Sequence, residues 1–263
     1  MQKITFGEME LRALFALEEK EAGVITLAEL AKRLKLSRVQ AWKLASRLAR
    51  KKRLIRLKRG IYLFAPMKAG PKGLWTENAL ASVPKLMGRN GYYVGFWAAL
   101  NHYGFTEQIP YAVQIVAVRR HRAFEALQSR FEFVQVRRLG EWREEKIGGE
   151  IVRFATVEQL IIDCLALPEN SGGIKEACKA IWEARERIGW KTLESLAAKS
   201  NDAVVRRLGY LSELLGIRKF KSKAFVGWRW LDPTAPKKAL ARSVKWGLLL
   251  NVAEKELTEW REH

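Results

Sequence analysis

Two helix-start signals stand close together near the N-terminus, and they constrain the fold more than any other feature of the chain. Thr26-Leu-Ala-Glu29 and Ser37-Arg-Val-Gln40 each place a hydroxyl side chain three residues before a Glu or Gln. At that spacing the two side chains satisfy each other's orphan backbone N–H groups, so each marks where a helix begins. Between them residues 28–34 make one short helix, and Lys35-Leu36 make a tight turn. Two short helices joined this way are a helix-turn-helix. Upstream, residues 7–20 read as a helix with Met9, Leu11, Leu14, Phe15 and Leu17 inward and Glu8, Glu10, Glu18 and Glu19 outward. A short strand-like Val24-Ile25 follows.

The second helix of the pair spans residues 38–51. Ala41, Leu44, Ala45 and Leu48 recur at i, i+3, i+4 and i+7 and form its packing stripe. At about 100° per residue the opposite side carries Val39, Lys43, Ser46, Arg47 and Arg50, with Ser37, Arg38 and Gln40 at the N-terminal end. That set suits the major groove of duplex DNA: guanidinium for guanine edges, amide for adenine, Val39 for a thymine methyl. Trp42 lies on the boundary and is expected to pack against the strands that follow. Residues 54–64 read as a β-hairpin turning at Lys58-Arg59-Gly60, where glycine accommodates a positive φ. A basic-tipped hairpin directly after such a helix is a wing, and Lys58 and Arg59 are expected to meet phosphates, which position the protein without specifying sequence. Residues 1–65 are therefore expected to be a winged helix-turn-helix domain, with Ser37, Arg38, Gln40, Lys43, Ser46, Arg47, Arg50, Lys58 and Arg59 as its DNA contacts.

The charge distribution agrees. From Leu30 to Thr76 there are fifteen Lys or Arg and no Asp or Glu, within a net charge of +20 from 48 basic and 28 acidic residues. A single-sign stretch of that length repels itself unless a polyanion neutralises it. The hydrophobic share of 48% is ample for a packed core. No apolar run approaches the roughly 20 residues a membrane helix needs, and Met1-Gln2-Lys3 leads into an acidic amphipathic segment rather than a secretory leader, so a cytoplasmic protein without membrane partners is expected.

Residues 66–73, with two Pro and two Gly across 65–73, read as a semi-stiff linker. Residues 74–263 alternate helices and strands, so the expected fold class is α+β, an N-terminal winged helix-turn-helix followed by a larger mixed α/β domain. Helices are expected at 77–88, 97–103, 156–167, 174–188, 193–199, 203–207 and 210–215. Strands are expected at 92–94, 112–118, 131–136, 150–154, 225–231 and 245–252. The stretch around Glu141 to Glu150 reads as a loop.

Four segments resemble the AbiEi family of antitoxins from type IV toxin–antitoxin systems. They are Gly60-Ile-Tyr62 in the hairpin; Tyr92-Tyr-Val-Gly-Phe-Trp-Ala-Ala-Leu100 with His102-Tyr-Gly-Phe-Thr-Glu-Gln108; Arg153-Phe-Ala-Thr-Val-Glu-Gln-Leu-Ile-Ile-Asp163 with Pro168 and Gly172-Gly173; and Arg207-Leu-Gly-Tyr-Leu211. Together they span nearly the whole chain. Two positions depart from the pattern: Lys52 stands where the family commonly has Gly, and Phe105 replaces a Leu. The resemblance implies a winged helix that binds inverted repeats in its own promoter and represses transcription. It also implies an antitoxin-like C-terminal region that counters a nucleotidyltransferase-like toxin without forming a stable complex with it.

Other residues invite chemical readings with plainer rivals beside them. Asp163 lies in an apolar helix and is expected to be a partly buried carboxylate tied to an Arg or a backbone N–H. His102 lacks a Ser or Cys nucleophile motif and reads as a cap or packing residue. Arg119-Arg-His-Arg122 is either a phosphate or RNA contact or a solvated loop. Glu141, Glu144, Glu145 and Glu150 show no clean nuclease metal pattern. His102, His121 and His263 share no ligand spacing, and Cys164 and Cys178 read as buried thiols rather than a disulfide or metal pair. No Gly-rich nucleotide motif is present. Hence no catalytic residue, metal or cofactor is expected. The leading reading is a DNA-binding antitoxin and autorepressor. Its rivals are a stand-alone winged-helix regulator with no toxin partner and, more remotely, a nucleic-acid nuclease.

Overall fold

The computed structural model describes residues 5–20, 23–73, 78–88, 91–222 and 224–262. Met1-Gln2-Lys3, Glu77 (where the sequence starts a helix) and His263 lie outside them. The chain divides into two compact units. The first holds residues 1–90 with 124–130 and 146–152, and the second holds 91–123, 131–145 and 153–263. This division extends the first unit beyond the linker expected at 66–73.

The first unit opens with α1 (Glu8–Glu18), β1 (Val24–Thr26), α2 (Leu27–Leu34), α3 (Arg38–Arg50) and the hairpin β2 (Leu54–Lys58) and β3 (Ile61–Phe64). The three strands pair antiparallel in the order β1-β3-β2, with Val24 opposite Leu63 and Leu54 opposite Phe64. The core beneath them is Ala13, Leu14, Leu17, Leu30, Leu44, Leu48, Tyr62, Phe64 and their neighbours. Each such Leu contributes about 1.5–3 kcal/mol when fully buried. The stripe expected on α3 is the one observed: Ala41, Leu44, Ala45 and Leu48 are its buried residues.

On α1 the inward face differs from expectation. Glu10, Ala13, Leu14 and Leu17 are buried, whereas Leu11 and Phe15 are exposed. Residues 10, 13, 14 and 17 form a proper i, i+3, i+4, i+7 set, and the acid is admitted because cations of α3 meet it.

The expected linker is also a packed element. Residues 67–69 form a 3-10 turn, Ala65 and Pro66 are buried, and the buried Arg53 guanidinium donates to the carbonyls of Pro66, at 3.1 Å, and Gly70. Helix α4 (Ala79–Met87) follows, capped by Asn78.

The remaining elements are β4 (Tyr92–Val94), α5 (Phe96–His102), β5 (Ala112–Ala117), β6 (Phe124–Ala126), β7 (Ser129–Gln135), β8 (Trp142–Ile147), β9 (Glu150–Ala155), α6 (Val157–Ala166), α7 (Ile174–Ala184), α8 (Trp190–Lys199), α9 (Asp202–Leu214), β10 (Arg229–Trp230), β11 (Ala241–Ser243), β12 (Leu248–Leu250) and α10 (Glu254–Thr258). A six-stranded sheet runs β6-β7-β5-β4-β9-β8, and a three-stranded one runs β10-β12-β11. The fold is α+β, with a larger mixed region after the helix-turn-helix.

Three elements differ from the sequence reading, two of them for clear causes. The expected loop of glutamates contains β8, an edge strand that needs no apolar face; Glu144 pairs with Arg153 at 3.3 Å, and the Arg153 guanidinium lies 4.4 Å from the Trp142 ring centre. The two helices expected at 203–207 and 210–215 are one, α9. Its Gly209 is no break: a Cβ there would come within 2.1 Å of the Trp246 ring, which packs against that spot. The strand expected over 225–231 shrinks to Arg229–Trp230.

Candidate nucleic-acid interface

Both capping boxes form. Glu29 N–H donates to Thr26 Oγ1 at 3.1 Å while Thr26 N–H donates to Glu29 Oε2 at 2.7 Å. Gln40 N–H donates to Ser37 Oγ at 3.3 Å while Ser37 N–H donates to Gln40 Oε1 at 2.8 Å. Lys35, left-handed at φ 54°, makes the turn between α2 and α3. At the far end of α3 Lys52 is left-handed too, at φ 55°. That conformation favours glycine, the residue that the AbiEi resemblance leads one to expect at this position.

This scaffold exposes Arg38, Val39, Gln40, Trp42, Lys43, Arg47 and Arg50 along one side of α3. The expected contacts are thus brought together on one face, but they are not equally available. Gln40 Oε1 already accepts from the Ser37 N–H, so a bidentate adenine contact would have to share that oxygen with the cap, whereas the NH2 group is free. Ser46 is half-buried and its hydroxyl donates to the Trp42 carbonyl at 2.9 Å. Arg47 Nε lies 3.7 Å from Glu10 Oε1, and Lys51 bonds to Glu10 Oε2. Burial would push the Glu10 carboxyl up, yet the hydrogen bonds from Lys51 and the Gly7 N–H, with the charges of Lys51 and Arg47, hold it below its ordinary range.

Across from α3, the hairpin ends in exposed Lys58 and Arg59, with Gly60 at φ 75°. Trp42 was expected to pack on these strands; it is 56% exposed instead. It lines an open groove of about 890 Å³ between α3 and the hairpin, with Val39, Leu27 and Ala31 beside it and Arg38, Arg56 and Arg59 around it. Arg56 was missed by the sequence reading. Strand alternation gave no clean signal for it, because the ladder with β3 shifts register between Arg56 and Lys58. Arg53, in contrast, belongs to the basic block but is buried and bound to carbonyls, so it offers nothing to a ligand.

In the second unit, Asp163 accepts hydrogen bonds from Tyr93 Oη at 2.8 Å and Gln159 Nε2 at 2.7 Å, not from the expected Arg or backbone N–H. Burial pushes its carboxyl up to about 7. His102 Nε2 sits 2.6 Å from Glu145 Oε2, whose other oxygen meets Arg143 Nε at 2.6 Å, and the imidazole stacks on Phe154 at 3.9 Å. Glu150 pairs with Lys85 at 2.8 Å within the first unit. Among the described residues no three His, Cys, Asp or Glu are grouped to hold a metal, and no helix is long and apolar enough to cross a membrane. Cys164 and Cys178 are buried outside any disulfide, and burial pushes both thiols up to about 12. Arg119, Arg120 and Arg122 are exposed.

Comparison with known proteins bears on this interface directly. The family model described as "Transcriptional regulator, AbiEi antitoxin" matches residues 12–65, the segment that carries α2, α3 and the hairpin. No curated protein matches the chain. Among solved structures, the crystal structure of the RV2827C protein from Mycobacterium tuberculosis is similar, with a TM-score of 0.69 at 14% identity, covering 99% of this chain and 97% of that one. At that identity the likeness is one of fold.

Proposed function

Taking residues 12–65 as a module of the AbiEi antitoxin transcriptional-regulator family, we propose that this protein is a DNA-binding antitoxin that represses its own promoter at inverted repeats. The observation that carries the reading is the joint exposure of the α3 cations and the hairpin tip from a segment without a single acid between residues 30 and 76. Arg38 and Lys43 read base edges in the major groove, Arg47 and Arg50 extend that line, and Gln40 donates through its amide nitrogen. Lys58, Arg59 and Arg56 hold the backbone; Ser37 and Ser46 fix the helix rather than touch bases. The C-terminal region counters a nucleotidyltransferase-like toxin without a stable complex, a reading supported by the family likeness. No cofactor or catalytic residue enters it.

The test is fluorescence anisotropy of the full chain on the duplex upstream of its gene and on a scrambled duplex, across a salt series. Lys58→Ala and Arg59→Ala weaken both duplexes alike, each flattening the slope of log K against log salt by about 0.9. A slope near zero in the unaltered protein would overturn DNA binding through this face. Co-expression with the adjacent reading frame tests the antitoxin part. Growth rescue supports it, and a neighbouring frame without toxicity leaves a stand-alone regulator.

A further inference from the structure

The second unit carries a basic cluster that the winged helix does not account for. β5 and β7 are neighbours in the large sheet, and their C-terminal ends lie in step. Val136 N–H donates to the Ala117 carbonyl at 3.0 Å, and the Gln135 side-chain amide donates to the Val118 carbonyl at 3.3 Å. Both strands therefore leave the sheet at the same end, and the segments after them, 118–123 and 136–141, emerge side by side. His121 anchors the first segment, its ring 5.0 Å from that of Phe133 on β7. The second passes Gly91, where a Cβ would meet Leu139 at 3.0 Å. Between these anchors Arg119, Arg120, Arg122, Arg137 and Arg138 are all exposed, and among the described residues none of the five has an ion-pair partner. The acid that follows the first segment, Glu125, pairs with Arg130 at 3.9 Å instead.

Five like charges on two adjoining turns repel one another, and a chain already at +20 gains no solubility from them. All five are arginine and none is lysine. The planar guanidinium grips phosphate oxygens with paired N–H groups, a geometry that an ammonium lacks. No helix of the cluster stands ready to enter a groove, so the contact it suits is to a backbone, without base reading.

We propose that the second unit carries its own nucleic-acid surface, in which Arg119, Arg120, Arg122, Arg137 and Arg138 bind the phosphodiester backbone of a polynucleotide independently of the winged helix. The test uses the full chain with Lys43→Ala, Lys58→Ala and Arg59→Ala, so that the first unit contributes little. Its binding to a single-stranded RNA and to a scrambled DNA duplex of equal length is compared with that of the same chain further carrying Arg119→Ala, Arg120→Ala, Arg122→Ala, Arg137→Ala and Arg138→Ala. On at least one probe the Kd rises about tenfold or more at low salt and the salt slope flattens by roughly 2–3. The probe that responds identifies RNA or duplex DNA as the ligand. Replacing the five with Lys restores most of the slope and less of the affinity. If the fivefold Ala chain melts early, the Arg119/Arg120/Arg122 and Arg137/Arg138 subsets are read in its place. Kd values within twofold on both probes would overturn the proposal. Should the winged-helix changes prove harmless to promoter binding, that sinks the preceding reading, while the comparison with and without the five arginines still decides this one.

Discussion

Each unit holds a carboxyl whose neighbours set its ionisation, and the two are pushed in opposite directions. Glu10, on α1, meets Lys51 and Arg47 of α3 and is held below its ordinary range. Asp163, on α6, meets only the neutral donors Tyr93 and Gln159, and burial pushes it up to about 7. Burial raises both; the neighbours decide the outcome. In the first unit Lys51 and Arg47 keep the acid ionised as their counter-charge. In the second the carboxyl accepts the hydrogen bond that ties α6 to β4 and gives up its proton only near neutral pH.

The largest expected effect would break this comparison outright. Because folded Asp163 holds its proton more tightly than the unfolded chain does, its contribution to stability is greatest at low pH. It declines as the pH climbs from 3.8 towards about 7. Asp163→Asn, which cannot ionise, should therefore gain on the parent protein by a few kcal/mol between pH 4 and pH 8 in urea melts. Parallel curves for the two would show that Asp163 is ionised throughout. Next in size, Lys43→Ala should cost roughly 1–3 kcal/mol on the promoter and much less on scrambled DNA. Arg47→Ala should cost less than Lys43→Ala, because Glu10 already shares its guanidinium; equal losses would mean that Glu10 does not restrain it. The smallest effect belongs to Glu10→Gln. Lys51 and Arg47 are partly solvated, so losing the charge should cost only about 1 kcal/mol at pH 7. The sign is opposite to that of Asp163: the Glu10 contribution is present above 4.5 and lost as the pH falls through its lowered folded value. The same change should tighten scrambled duplex and steepen the salt slope by up to about 1, since two cations are released for phosphate. Weaker binding by this variant would show instead that Glu10 organises α3 for DNA.

The helix-turn-helix was legible because its signals are local. Thr26 with Glu29 and Ser37 with Gln40 act within one turn, and the Ala41–Leu48 stripe needs only helical periodicity. Glu10 was misread because the cations that admit it lie on another helix, far along the chain. β8 was invisible to hydrophobic alternation because an edge strand can be made of Arg, Glu and Lys held by a neighbour such as Arg153. α9 was split in two because the Trp246 ring that packs on its Gly209 comes from β12's approach. Among site residues, the exposure of α3 and the hairpin tip followed from periodicity, whereas the engagement of Gln40 with its own cap and the openness of Trp42 depended on side-chain geometry.

Arg53 gives the first unit a boundary that is easy to misplace. Its guanidinium is covered only because residues 66–70 fold back and offer carbonyls, and Gly73 then closes so tightly on Lys52 that a Cβ there would fall 2.1 Å from the Lys52 carbonyl oxygen. A fragment cut at residue 65, where the DNA-reading elements end, would strand a cation in the core. The three helices and the hairpin are thus clasped by chain that continues past their last strand, through residue 73, inside a first unit that is larger still.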